Sequence, residues 1–255
     1  MKVLDLFSGI GGFSLGLERA GMETIAFCEI EDYPRRVLAK HWPDVPIASD
    51  VTKLTYQYGA LYDDGKEIYR GSIDVVCGGF PCQDISVAGK QEGIKEGTRS
   101  GLWSECARLL REIRPDYAIF ENVTALLSGE KGRWFQRVLW DISKVGYDAE
   151  WHCIPASYLG ACHRRDRVWV IAYPSCSDVE AITEKPIFGQ SKMQRELGRG
   201  FERVSKRPDT SESLLFREDD GLPLKPYRNR VKALGNTLVP QIPELIGRAI
   251  NPPQS

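Results

Sequence analysis

The residue of this chain best framed for chemistry is a cysteine, set in Gly78-Gly79-Phe80-Pro81-Cys82-Gln83 directly after the apolar run Ile73-Asp74-Val75-Val76-Cys77. A strand that ends in such a tight Gly and Pro turn presents its next side chain at the rim of a sheet, where a thiolate can meet a substrate. Most cysteines are simply small buried hydrophobes. The frame around Cys82 marks it as a candidate nucleophile.

The start of the chain supplies a cradle for a second reactant. Val3-Leu4-Asp5-Leu6-Phe7 reads as a short strand and Ser8-Gly9-Ile10-Gly11-Gly12 as a glycine-rich turn. Phe13 to Ala20 then has helical spacing, with Phe13, Leu17 and Ala20 on one face. Glycines suit such a turn because a backbone without Cβ bends sharply and lets a ligand approach the amides at the helix start. The spacing departs from G-x-G-x-x-G, which weakens a nicotinamide or flavin reading.

A second strand, Thr24 to Cys28, delivers Glu29, and an acid there can hold two ribose hydroxyls. A third strand end, Pro46-Ile47-Ala48-Ser49-Asp50-Val51, brings Asp50 within the same logic, able to accept from an adenine amino group. Acids in loops are commonly just solvated. These two stand at the carboxyl ends of expected strands, where open α/β sheets bind ligands. Together they point to an adenosine-containing cofactor.

Further along, Asp116 to Phe120 is another expected strand, ending in Glu121-Asn122-Val123. Cys162-His163-Arg164-Arg165-Asp166-Arg167 leads into the strand Val168 to Ala172, and Arg230 to Pro240 carries Gly235-Asn236. With DLFSGIGG at 5–12, GGFPCQ at 78–83, ENV at 121–123, RRDR at 164–167 and GN at 235–236 in this order, the chain resembles the DNA (cytosine-5)-methyltransferases. The motifs lie within Met1 to about Ala172 and about Tyr227 to Arg248. The short form looks like the bacterial and bacteriophage branch.

The resemblance implies S-adenosylmethionine as cofactor and assigns roles residue by residue. Cys82 matches the thiolate that adds to carbon 6 of cytosine, because carbon 5 alone is a poor nucleophile. Glu121 matches the carboxyl that contacts ring N3 and the exocyclic amine, a general-acid role suited to a raised pKa. Arg165 and Arg167 match the arginines around the base carbonyl and the cysteine, where two cations would also favour the thiolate. His163 stands where the family commonly has Gln. For the cofactor the match carries over Phe7, Gly9 and Gly11, then Glu29 and Ile30, Asp50 and Val51, and finally Asn236 and Thr237 from the late Gly-Asn motif. The base that removes the carbon 5 proton is left open.

A target base inside a duplex must be flipped out before a thiolate can reach it. Asp84 to Ser100 is polar and contains Lys90, Lys95 and Arg99, which suits a loop closing over such a base. Gln83, Lys90 and Arg99 are its expected DNA contacts. Two other basic stretches, Lys192 to Arg207 with Arg199, Arg203 and Arg207, and Lys225 to Lys232 with Arg228 and Arg230, read as phosphate contacts. Each also fits a plain solvated face.

Composition sets the bounds. The chain has 255 residues, 42% of them hydrophobic, and a net charge of −1, so it can bury a core and any DNA-binding charge is local. Seven cysteines without a C-x-x-C pair speak against a zinc ribbon or a disulfide framework. Cys153, Cys162 and His163 lack a fourth ligand at a usual spacing, and no metal is expected. No leader or membrane-spanning run is evident, so a cytoplasmic, monomeric protein is expected.

The expected fold is α/β, a Rossmann-like S-adenosylmethionine-dependent methyltransferase with a mostly parallel sheet, helices on both faces and a small target-recognition insert. Residues 1–172 form the catalytic and cofactor-binding part, 173–225 a short recognition region, and 226–255 a segment that returns to the catalytic part. The helix Gln241 to Ile250 is expected to pack through Ile242, Leu245, Ile246 and Ala249. The expected activity is carbon 5 methylation of cytosine in double-stranded DNA. An inactive DNA-binding protein of the same fold and a tRNA methyltransferase are the two alternatives, and restriction-modification is the expected setting.

Overall fold

The computed structural model describes residues 1–81, 102–159, 165–175, 187–189, 232–233 and 237–252. Its centre is a seven-stranded sheet built from β1 (Lys2–Leu6), β2 (Glu23–Cys28), β3 (Ile47–Ala48), β7 (Val75–Gly79), β8 (Tyr117–Val123), β9 (Tyr147–Pro155) and β10 (Asp166–Pro174). The order is β3-β2-β1-β7-β8-β10-β9. All pairings from β3 to β8 are parallel, and β10 runs antiparallel to both of its neighbours.

Strands buried on both faces read as continuous apolar runs, and alternate residues sort onto opposite faces. Leu4 and Leu6 of β1, Val76 of β7, Phe120 of β8 and Val170 of β10 face one core. Val3, Val75, Cys77, Ile119, Trp169 and Ile171 face the other. The first core is closed by α3 (Trp103–Ile113) and α5 (Arg133–Lys144), whose buried residues fall on single stripes: Trp103, Cys106, Leu109, Leu110 and Ile113, then Trp134, Phe135, Val138 and Ile142. Between them α4 (Ala125–Ser128) adds Leu126 to the same core. The second core is closed by α1 (Gly12–Arg19) through Phe13 and Leu17, and by α6 (Gln241–Ile250) through Ile242 and Ile246, with Leu245 and Ala249 packed at its margin. The last helix therefore packs through the four expected residues. A Cβ on Gly16 would stand 2.3 Å from the Pro240 carbonyl oxygen, so α1 and α6 meet backbone to backbone.

The third strand is short, Ile47–Ala48, and Asp50 stands just beyond its end as expected; Asp50 Oδ1 accepts from Thr52 N at 3.0 Å and Thr52 Oγ1 at 2.7 Å and starts the 3-10 turn Val51–Lys53. Beyond it lies an antiparallel meander, β4 (Leu54–Gln57), β5 (Ala60–Asp63) and β6 (Lys66–Arg70), read by nothing in the sequence analysis. It is fastened to α3 by Tyr56 N donating to Glu112 Oε2 at 3.0 Å, while Arg108 bridges Glu105, Glu112 and the Val51 carbonyl. On the other side of β2, α2 (Asp32–His41) buries Pro34 and Leu38. Among the described residues, no helix is long and apolar enough to cross a membrane.

Candidate active site

The carboxyl ends of the parallel strands gather the candidate residues at one rim, and the first of them is the turn after β1. Phe7 takes φ 52°, a left-handed conformation costly for a bulky side chain, and Gly9 and Gly11 follow at 54° and 86°. The turn is pinned from two sides. Ser8 Oγ donates to the Asp5 carbonyl at 2.6 Å, and Gly9 N donates to Glu29 Oε2 at 2.8 Å. A Cβ on Gly11 would lie 2.7 Å from the Trp42 indole, which itself donates from Nε1 to Glu18 Oε1 at 2.8 Å.

Glu29 is buried at the end of β2 and does two jobs. Its Oε2 accepts from Gly9, and its Oε1 accepts from Glu31 N at 2.7 Å, so it ties the first turn to the second strand end. Each carboxylate oxygen has two acceptor sites, so capacity for two ribose hydroxyls remains. Ile30 beside it is 72% exposed, an apolar side chain left open at the rim that suits a flat ring. Asp50 keeps its Oδ2 outside the Thr52 turn, and Val51 is buried with its carbonyl held by Arg108 at 3.1 Å. From the far end of the chain, Thr237 comes back to the same rim: a Cβ on Gly12 would sit 2.9 Å from its Oγ1. Lys232 pairs with Glu31 at 2.6 Å. A buried acid at the second strand end, an open apolar face and a cradle without Cβ atoms fit an adenosine-containing cofactor.

Below this turn lies an acid that sequence reasoning missed. Asp5 is fully buried, with Oδ2 accepting from Ser14 Oγ at 2.7 Å and Ser14 N at 3.3 Å. Burial pushes its pKa up to about 7, against the hydrogen bonds from Ser14. Its place inside an otherwise apolar strand was the available signal.

The second group of residues stands at β7, β8 and β10. A Cβ on Gly78 would fall 2.5 Å from the Leu6 carbonyl oxygen, and one on Gly79 3.1 Å from Glu121 Oε2. Gly78 is therefore required by the neighbouring strand, and Gly79 gives the carboxylate room. Phe80 then plugs into the core against Trp103, at 5.0 Å between rings, and Asn122 Nδ2 donates to the Phe80 carbonyl at 3.2 Å. Asn122 thus steers the backbone that leads through Pro81 to Cys82. Its buried polar side chain inside ENV was a signal, but only Glu121 was singled out there.

Glu121 and Arg167 are diagonal neighbours across the antiparallel β8–β10 pair, since Glu121 opposes Trp169 and Val123 opposes Arg167. Their contact, Arg167 Nε to Glu121 Oε1, is 2.9 Å, yet the buried Oε1 receives no aligned hydrogen bond. Burial raises the Glu121 pKa although Arg167 and Arg165 both act to lower it. Burial likewise lowers the Arg165 pKa, and the Arg167 cation adds to that.

The structure brings together Phe7, Gly9, Gly11, Glu29, Ile30, Asp50, Val51 and Thr237 at one half of the rim, and Glu121, Arg165 and Arg167 at the other. Cys82, Gln83, Lys90, Arg99, Arg199, Arg203, Arg207, Arg228, Arg230 and Asn236 lie outside the described residues. So do His163 and the 84–100 segment.

An open, mostly parallel sheet with a glycine turn after β1 and acids at the next two strand ends is a Rossmann-like arrangement that suits an adenosine-containing cofactor. The family model for C-5 cytosine-specific DNA methylase matches residues 1–218, and the chain belongs to that family. It is 36% identical over 176 residues to the Bacillus subtilis type II methyltransferase M2.BsuMI, covering 68% of this chain and 42% of that one. It is 35% identical over 172 residues to the Escherichia coli type II methyltransferase M.Eco47II, covering 67% and 39%. The chain thus spans about 40% of the length of these curated relatives. Among solved structures it resembles a prophage-encoded protein of E. coli described as a DNA modification methyltransferase, at TM-score 0.54 and 26% identity, over 68% of this chain and 47% of that one. The Entamoeba histolytica methyltransferase EhMeth shares the fold at TM-score 0.59 and 13% identity, covering 98% and 97% of the two chains.

Proposed function

We propose that this chain transfers a methyl group from S-adenosylmethionine to carbon 5 of cytosine in double-stranded DNA, through a covalent adduct between Cys82 and carbon 6. The observation that carries the reading is Glu121: a largely buried carboxyl with a raised pKa, 2.9 Å from Arg167, on the strand beside the Gly78-Gly79 end that leads into Cys82.

Cysteine has an ordinary pKa near 8.5, and cations beside it favour the thiolate. Arg165 and Arg167 supply that charge. As the thiolate adds to carbon 6, negative charge develops on the ring, and Glu121 in its protonated form delivers a proton to N3. The ring is then an enamine whose carbon 5 is nucleophilic. When bound, the cofactor would supply an electrophilic methyl on its sulfonium to that carbon and leave as the neutral thioether. A base takes the carbon 5 proton, the electron pair of that bond forms the 5,6 double bond, the bond to Cys82 breaks to return the thiolate, and Glu121 takes back the N3 proton.

Glu29 would hold the cofactor ribose, with Ile30, Asp50 and Val51 around the adenine and Asn236 and Thr237 closing the pocket. Gln83, Lys90, Arg99, Arg199, Arg203, Arg207, Arg228 and Arg230 are the proposed DNA contacts, with 1–172, 173–225 and 226–255 as catalytic, recognition and returning segments. We propose a cytoplasmic monomer without a metal.

Labelled S-adenosylmethionine offered with duplex DNA, with tRNA and with neither tests the reading. Label in DNA that depends on Cys82 is expected. Label in tRNA alone would move the substrate, and binding to DNA without label would leave an inactive DNA-binding protein.

A further inference from the structure

The part of the 173–225 region that the structure describes beyond Ser175 is a single 3-10 turn, Ile187–Gly189, and it is not free. Glu150 of β9 accepts from both of its leading amides, Oε1 from Ile187 N at 2.8 Å and Oε2 from Phe188 N at 3.0 Å. Ile187 is buried in the core shared by Ile154, Trp169, Ile171, Ile242 and Ile246. The Phe188 ring lies 5.6 Å from the His152 ring. A carboxylate with one backbone N–H on each oxygen and an apolar plug beside it is a built joint, and it occupies a strand that, among the described residues, pairs only with β10.

That neighbour matters. Glu150 opposes Ile171, and Ile154, four residues along β9, opposes Arg167. At about 3.3 Å per strand residue the joint lies about 13 Å along the sheet from the register of Arg167, with hydrogen-bonded strand in between. A segment held there has its position fixed relative to the arginine that faces Glu121. We propose that Glu150, with Ile187 and Phe188, is the joint that seats the recognition region on the catalytic sheet, so that Glu150 is a positioning residue for DNA engagement. This rests on the reading of the chain as a DNA methyltransferase.

Two measurements on the full chain test it separately. Hydrogen exchange reads the joint: the amides of Ile187 and Phe188 are protected in the wild type and lose protection in Glu150→Ala. Steady-state kinetics read the role: Glu150→Ala raises KM for duplex DNA about tenfold or more, the scale at which misplaced groups are felt, with S-adenosylmethionine affinity and thermal stability near wild type. Glu150→Gln, which keeps one acceptor oxygen, falls between the two. Free exchange at both amides in the wild type would overturn the joint. Protected amides with an unchanged KM for DNA in Glu150→Ala, or an equal loss of cofactor affinity, would overturn the positioning role. A wild type inert on duplex DNA would remove the function and this role with it, while the exchange result would still decide the joint.

Discussion

The two halves of the catalytic rim solve the same problem, placing an acid at the carboxyl end of a parallel strand, in opposite ways. Glu29 in the cofactor half is held by backbone N–H donors from Gly9 and Glu31, so its position is built into the chain trace. Glu121 in the base half faces Arg167 at 2.9 Å without an aligned hydrogen bond, and burial raises its pKa. The first arrangement orders a loop around an acceptor. The second favours the protonated carboxyl, which suits the general-acid role proposed for Glu121. The contrast teaches that a motif acid is read by what its oxygens already hold.

The largest effects are expected in the base half. Cys82→Ser should lose nearly all turnover while keeping cofactor binding, because a hydroxyl ionises far less than a thiol at neutral pH. Glu121→Gln should lower kcat by about 10² to 10⁴, the range for a lost general acid. The sign with pH follows from the raised pKa. The protonated, active form of Glu121 is depleted as pH rises through that value, so wild-type kcat should fall on the alkaline side, and the Gln variant should lose that limb in a stopped-time methylation assay. A Gln variant with wild-type kcat would erase the contrast between the two acids.

The cofactor half has its own titrating group, and it sharpens the comparison. Asp5 has a folded pKa of about 7, above the usual value near 3.9, so its ionised form is penalised by folding. Stability is therefore greatest, for this group, below pH 4 and declines as pH rises from about 4 to about 7, by roughly 4 kcal/mol at 1.36 kcal/mol per unit. Asp5→Asn keeps an acceptor for Ser14 and cannot ionise, so its denaturation midpoint should vary less across that pH window. An equal pH slope in both proteins would place the titration elsewhere.

Next in size is Glu29. Glu29→Ala should weaken S-adenosylmethionine binding by roughly 1.5 to 3 kcal/mol by calorimetry, the scale for hydrogen bonds to a charged group, with a smaller effect on DNA affinity. Because Glu29 also holds Gly9 and Glu31, the same variant should lower thermal stability. Glu29→Gln, which keeps an acceptor oxygen, should recover part of both. Unchanged cofactor affinity in the Ala variant would remove Glu29 from the ribose role.

The strand ends that carry the candidate site residues were more legible in the sequence than the rest of the scaffold. β1, β2, β7, β8 and β10 announce themselves because strands buried on both faces are unbroken apolar runs bounded by glycine or acid. The short strands of the meander, LTYQ, ALYD and KEIYR, do not, since polar and apolar residues mix there over a partly exposed surface; only Asp64-Gly65, with φ of 50° and 78°, carried a hairpin signal. At Asp50 an adenine contact was weighed and its role as the acceptor for Thr52 was not. Asn122 and Asp5 escaped notice for a related reason: their partners, the Phe80 carbonyl and Ser14, are chosen by tertiary packing that no local spacing records. Gly78 shows the reverse, a residue quoted for its motif whose cause, the Leu6 carbonyl of the adjacent strand, became visible only in the fold.

The smallest effect concerns the basic stretch Lys192 to Arg207. If Arg199, Arg203 and Arg207 contact phosphates, replacing all three with Gln should weaken binding to every duplex sequence alike and reduce the slope of log affinity against log salt by up to about three, near one unit per lost contact. Residues that read base edges behave differently, because losing one relaxes preference at a single position while the salt slope stays nearly the same. The titration of binding against salt therefore separates a positioning surface, a specificity surface and a solvated face. It also extends the comparison, since neither Glu29 nor Glu121 contributes cationic charge and their variants should leave the slope untouched. An unchanged slope with unchanged affinity in the triple variant would assign this stretch to solvent and leave the phosphate contacts to Lys90, Arg99, Arg228 and Arg230.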